Sequence, residues 1–158
     1  MTKEDIKILL VDDEKQFVDT LAERLAMRGF EARVAYDGPE ALKAVELPTD
    51  VIVLDLRMPG MDGLEATSRI SALEAAAGDA PRKTRVIILT TFDLDEYVMA
   101  AINAGASGFL LKDTEPETLL SSIRTVYQGN AIIAPSATKR LIEKMMAVSY
   151  THLRAHET

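Results

Sequence analysis

Residues 51–63 read Val51-Ile52-Val53-Leu54-Asp55-Leu56-Arg57-Met58-Pro59-Gly60-Met61-Asp62-Gly63. Four apolar residues, three of them β-branched, run straight into Asp55, and a Pro-Gly pair and an Asp-Gly pair follow closely. This pattern predicts a buried strand that ends at a carboxylate and breaks into a loop. In an open α/β sheet the carboxyl end of a strand faces the crevice where such folds bind ligands, so Asp55 is a candidate nucleophile. Its competing role would be to cap the next helix. Asp62 stands closer to that helix and suits the cap better.

Outward from this stretch the chain alternates strands and helices. Residues 6–11 form a nearly continuous apolar run, too short for a helix and without polar alternation, as expected of a parallel strand buried on both faces. The run ends in Asp12-Asp13-Glu14. Phe17, Leu21 and Leu25 recur every fourth residue up to Gly29, predicting a helix with a glycine C-cap. Residues 32–35, with Arg33 inside, suggest an edge strand, and residues 38–47 a second helix ended by Pro48.

Beyond Asp55, residues 63–73 read as a third helix and residues 74–84 as a polar link. Residues 86–89 read as a fourth strand, and residues 95–104 as a short helix closed by Gly105. Residues 108–111 make a fifth strand and residues 114–127 a fifth helix, with Leu119, Leu120, Ile123 and Val126 inward. The expected fold is therefore α/β, a doubly wound (βα)5 domain with a parallel five-stranded sheet flanked by helices. The flavodoxin-like order 2-1-3-4-5 puts the switch point between strands 1 and 3 and brings Asp12, Asp13 and Asp55 together.

Composition narrows the chemistry. The 158 residues are 47% apolar and 27% charged, ordinary for a globular domain. The sequence contains no apolar run of membrane-spanning length and no secretory signal at its start, so a cytoplasmic location without membrane attachment is expected. Cysteine is absent, and both histidines, His152 and His156, fall at the very end. Thiolate and Ser-His-Asp chemistry are thereby disfavoured, and carboxylates must carry the reaction. A net charge of −7 argues against a free-standing nucleic-acid binder.

Three carboxylates in one crevice repel one another and call for a cation. Hard oxygen donors suit Mg²⁺, which completes its octahedron with waters and phosphate oxygens. Such a site brings a phosphoryl group to Asp55, which can attack it and form an acyl phosphate. The ends of strands 4 and 5 add Thr90, Thr91 and Lys112, suited to donating to phosphoryl oxygens.

Asp12-Asp13 after strand 1, Asp55 followed by Met58-Pro59-Gly60-Met61-Asp62-Gly63, Thr90 after strand 4, and Ala104-Gly105-Ala106-Ser107-Gly108-Phe109-Leu110-Leu111-Lys112 together resemble the receiver domain of two-component response regulators. The resemblance spans about residues 3–129. It implies that Asp55 is the phosphoacceptor and that Asp13, Asp55 and the backbone carbonyl of Arg57 hold Mg²⁺, with Asp12 mostly through water. Lys112 would contact the phosphoryl group, and Thr90 and Phe109 would be the switch pair. The implied partner is a sensor histidine kinase, with homodimerisation on phosphorylation. The chain would be no metabolic enzyme but an acceptor that catalyses its own phosphoryl transfer and slow dephosphorylation.

Asp113, where many receivers have proline, and the run Thr90-Thr91-Phe92-Asp93 resemble the subgroup with a LuxR-type helix-turn-helix output. Residues 1–129 are thus read as the receiver and residues 130–147 as a linker helix, with Leu141, Ile142, Met145 and Met146 at helical spacing. DNA would be reached only through a C-terminal domain missing from this sequence. The last eleven residues, 148–158, resemble a translated sequencing adapter and are expected to be a non-native tail. Three other readings compete: a stand-alone receiver acting through protein contacts, a flavodoxin-like cofactor binder, and an aspartyl-phosphate phosphatase. The second lacks a phosphate-cradling loop after strand 1. The third would carry an acid two residues past the nucleophile, where this chain has Arg57.

Overall fold

The short apolar runs form the strands, and the central ones are buried on both faces. In the computed structural model, which describes residues 6–77, 84–91 and 95–133, the first five strands are β1 (Ile8–Val11), β2 (Ala32–Ala35), β3 (Val51–Asp55), β4 (Arg85–Thr90) and β5 (Gly108–Leu111). Every residue of β1 and β3 is buried, whereas β2 is mostly half-buried. The helices are α1 (Lys15–Met27), α2 (Gly38–Ala44), α3 (Gly63–Ala77), α4 (Asp95–Ala104) and α5 (Pro116–Tyr127). Helix α1 packs on α5, while α3 packs on both α2 and α4, so that both faces of the sheet are covered.

The five strands pair in parallel in the expected order 2-1-3-4-5, with β2 at one edge. A sixth strand, β6 (Ile132–Ile133), extends the other edge by pairing with Gly108 and Phe109. Its two isoleucines are too short a run to register as a strand in the sequence. The Ile132 N–H reaches the Ser107 carbonyl at 3.0 Å. Within the stretch expected as a linker helix, residues 130–147, Ile132 and Ile133 instead form β6; residues 134–147 and the polar tail at 148–158 lie outside the described residues.

Other boundaries moved for local reasons. Helix α3 continues through Ala75, Ala76 and Ala77, residues of the highest helix propensity, instead of stopping at Leu73. Helix α5 starts at Pro116 and not at Thr114, because the residue before proline is driven out of the helical region; Glu115 is extended at φ −64° and ψ 147°. Helix α2 gives way after Ala44 to tighter turns, the Glu46 and Leu47 N–H groups reaching the carbonyls of Lys43 and Ala44 at 3.2 Å.

The register sets the site. Strand β1 lies between β2 and β3, and Val11 pairs with Leu54. The chain therefore leaves the sheet at Asp12 beside Asp55, where the strand order reverses.

Candidate functional site

The loop after β3 is built on two residues the sequence offered. Asp62 caps α3, its Oδ1 accepting the Glu65 N–H at 2.9 Å, which leaves Asp55 free of that task. At Gly63 the backbone passes so close to β3 that a Cβ would sit 2.3 Å from the Asp55 carbonyl oxygen and 2.9 Å from the Leu56 Cα. The Gly63 N–H closes the loop on the Leu56 carbonyl at 2.8 Å. Gly60, after Pro59, takes φ 78°, a turn conformation suited to glycine.

Asp12, Asp13 and Asp55 converge, with one carboxylate oxygen of each within 4.8 Å of the others. Asp12 and Asp55 are buried, and Asp13 is exposed. Lys112, from the end of β5, reaches in with its side chain 9% exposed. Its Nζ lies 2.8 Å from Asp12 Oδ2, 3.0 Å from Glu14 Oε1 and 3.5 Å from Asp55 Oδ1. The Lys112 N–H donates to the Thr90 carbonyl at 2.7 Å, which ties the two strand ends together.

One ammonium does not balance these acids. Burial, then the charges of Asp12 and Asp13, push the Asp55 carboxyl from its ordinary 3.8 up to about 7, against the pull of Lys112 and the Arg57 N–H. Asp12 is also raised, burial outweighing its hydrogen bonds with Lys112 and the Glu14 N–H. Burial works against the Lys112 charge, yet its hydrogen bonds to Asp12 and Glu14 carry its pKa above the ordinary 10.5. A crowded set of hard oxygen donors that resists ionisation fits a divalent cation.

The remaining expected residues are placed as follows. Thr90 ends β4 and is 1% exposed; Phe109 is equally buried. Ile88 pairs with Phe109 and Thr90 with Leu111, so Thr90 and Phe109 share one face of the sheet, one step apart diagonally. Leu89, which points the other way, lines a cavity of about 520 Å³ between α1 and α5 that Glu14, Phe17 and Lys112 also border. The Arg57 guanidinium lies 5.8 Å from the Tyr97 ring centroid on α4. Thr91, exposed at the same strand tip, is not buried with Thr90.

Three participants were missed from the sequence. Glu14 stands in the sequence only as the end of the Asp12-Asp13-Glu14 run, although its place two residues after Asp12 in one loop puts it within reach of the lysine. Phe17 entered only through the spacing that predicts α1, yet its ring centroid lies 4.9 Å from Lys112 Nζ. Tyr97 gave no sequence signal, since its meeting with Arg57 depends on how α4 packs.

Comparison with known proteins decides the family. The model of the response regulator receiver domain matches residues 8–124. The chain belongs to this receiver family. A transcriptional regulatory protein of Bacillus subtilis, YxjL, is 36% identical over 160 residues, covering 96% of this chain and 68% of that protein. The oxygen regulatory protein NreC of Staphylococcus epidermidis is 40% identical over 119 residues, covering 74% of this chain and 51% of that protein. This receiver chain therefore spans between about half and two thirds of such relatives. A two-component response regulator of the LuxR family from Aurantimonas superposes with a TM-score of 0.78 at 28% identity, covering 90% of this chain and 99% of that one. The receiver is thus a signalling domain related to LuxR-family transcriptional regulators. No helix among its described residues is long and apolar enough to cross a membrane.

Proposed function

We propose that this receiver accepts a phosphoryl group on Asp55 from a sensor histidine kinase, with Mg²⁺, and passes the signal to a DNA-binding output. The observation that carries this reading is the meeting of Asp55 with Asp12, Asp13 and Lys112 at the switch point, where the acids outnumber the base. Asp13, Asp55 and the Arg57 carbonyl would hold the metal, with Asp12 acting through water. The bound ion would neutralise the phosphoryl oxygens.

Asp55 attacks phosphorus through a carboxylate oxygen, the donor's bond to phosphorus breaks, and Lys112 pairs with the transferred group. Thr90 then turns its hydroxyl to the phosphoryl group. Phe109 follows it, shifting an existing equilibrium. Phosphorylation would favour a homodimer, and residues 130–147 would link the receiver at 1–129 to its output in the cytoplasm.

The test is intact-mass analysis after incubation with acetyl phosphate. One phosphoryl group should appear with Mg²⁺ and disappear with EDTA or in Asp55→Asn. Equal labelling in either control would overturn the reading.

A further inference from the structure

The mouth of the site carries a fourth acid that phosphoryl acceptance does not require. Glu14 Oε1 stands 3.0 Å from Lys112 Nζ, with 63% of its side chain exposed. Lys112 is thus shared among Asp12, Glu14 and Asp55. Four carboxylates face one ammonium, so even one divalent cation would leave the site a negative charge in excess. Asp12, Asp13 and Asp55 are needed for the metal and the chemistry, whereas Glu14 stands at the solvent edge, where a donor must pass.

We propose that Glu14 is a positioning residue that selects phosphoryl donors by charge, holding Lys112 back from the incoming group and repelling doubly negative donors more than singly negative ones. The proposal rests on Asp55 being the phosphoacceptor. Two small donors differ in the way required. With acetyl phosphate, an Asp55 oxygen forms the new O–P bond, the acyl O–P bond breaks, and acetate leaves with the electron pair. With phosphoramidate, a singly charged zwitterion, the same O–P bond forms, the P–N bond breaks, and the already protonated nitrogen leaves as ammonia. The acceptor and product are identical and each donor's leaving group is the same in every variant, so the change in the ratio of the two rates on substitution reports the charge of the donor.

Replacing Glu14 by Gln keeps an oxygen for Lys112 and removes the charge. An exposed ion pair is a modest influence, so the effect should be about threefold. The experiment measures Asp55 phosphorylation rates with each donor, at saturating Mg²⁺, for wild type, Glu14→Gln and Glu14→Asp. Glu14→Gln should speed acetyl phosphate about threefold and phosphoramidate distinctly less, and the gain should fade at high salt, where the charge is screened. Glu14→Asp should retain the wild-type ratio.

In the metal-free protein, the Lys112 side-chain ammonium signal should move in Glu14→Gln. An equal gain with both donors, no gain with either, a salt-independent gain or an unmoved Lys112 signal would each overturn the proposal. Failure of wild type to label with either donor, or labelling of Asp55→Asn, would instead overturn the assignment of Asp55.

Discussion

In the metal-free receiver the charge of Asp55 should cost stability, and removing that charge should return it. The Asp55 carboxyl titrates near 7 in the folded protein, against 3.8 ordinarily, because it is buried beside Asp12 and Asp13. At about 1.36 kcal/mol per pH unit, that gap is worth about 4 kcal/mol. Relaxation and water entry at a site open to solvent on one side reduce it to about 2 kcal/mol. The sign follows from proton binding. Between pH 4 and 7 the folded state holds a proton on Asp55 that the unfolded chain has released, so the cost that Asp55 imposes is absent below about 4 and grows as the pH rises towards 7.

Asp55→Asn lacks this loss. In EDTA at pH 8 it should melt about 5 °C above wild type, and its advantage should shrink steadily as the pH falls to 4. Thermal unfolding followed by circular dichroism across this range measures it. An advantage equal at pH 4.5 and 8, or none at pH 8, would refute the electrostatic reasoning. Mg²⁺ should also raise the melting temperature of wild type more than that of Asp55→Asn.

Three further outcomes are expected. Gly63→Ala should lower stability by about 2 kcal/mol in urea unfolding, because its Cβ would strike the Asp55 carbonyl and the Leu56 backbone, which cannot yield as a flexible side chain would. Lys112→Met should lower the melting temperature in EDTA, leaving Asp12 and Asp55 without their shared cation, and added Mg²⁺ should recover a larger part of the loss than its effect on wild type. Thr90→Ala should still be phosphorylated yet show a narrower set of amide shifts with the phosphoryl mimic beryllofluoride; shifts as wide as in wild type would rule out the coupling.

The sheet was legible because its strands are short, apolar and buried on both faces, a pattern that 51–55 and 8–11 carry without ambiguity. The alternation with helices implied a parallel sheet and the flavodoxin-like pattern its order, and with it the meeting of Asp12, Asp13 and Asp55 at the adjacent tips of β1 and β3, where Lys112 reaches in from β5. Ends of elements were less legible, because competing local preferences decide them: the alanines that prolong α3, and the proline that delays α5. β6 escaped because two isoleucines gain their pairing only from the open edge of β5. Glu14 and Tyr97 escaped for a related reason, since a side chain's reach across a loop or onto a helix is a property of packing. The roles proposed for Thr90 and Phe109 come from the family resemblance, and the structure adds their shared burial on one face.

The most direct test of the account is to phosphorylate the chain with acetyl phosphate and Mg²⁺, reduce it with borohydride, and map the product by tandem mass spectrometry. Reduction converts an aspartyl phosphate to homoserine and leaves free aspartate unchanged. Homoserine is expected at position 55 alone, and none when EDTA replaces Mg²⁺. Homoserine at position 12 or 13, or at no position in a folded, Mg²⁺-supplied sample, would contradict it.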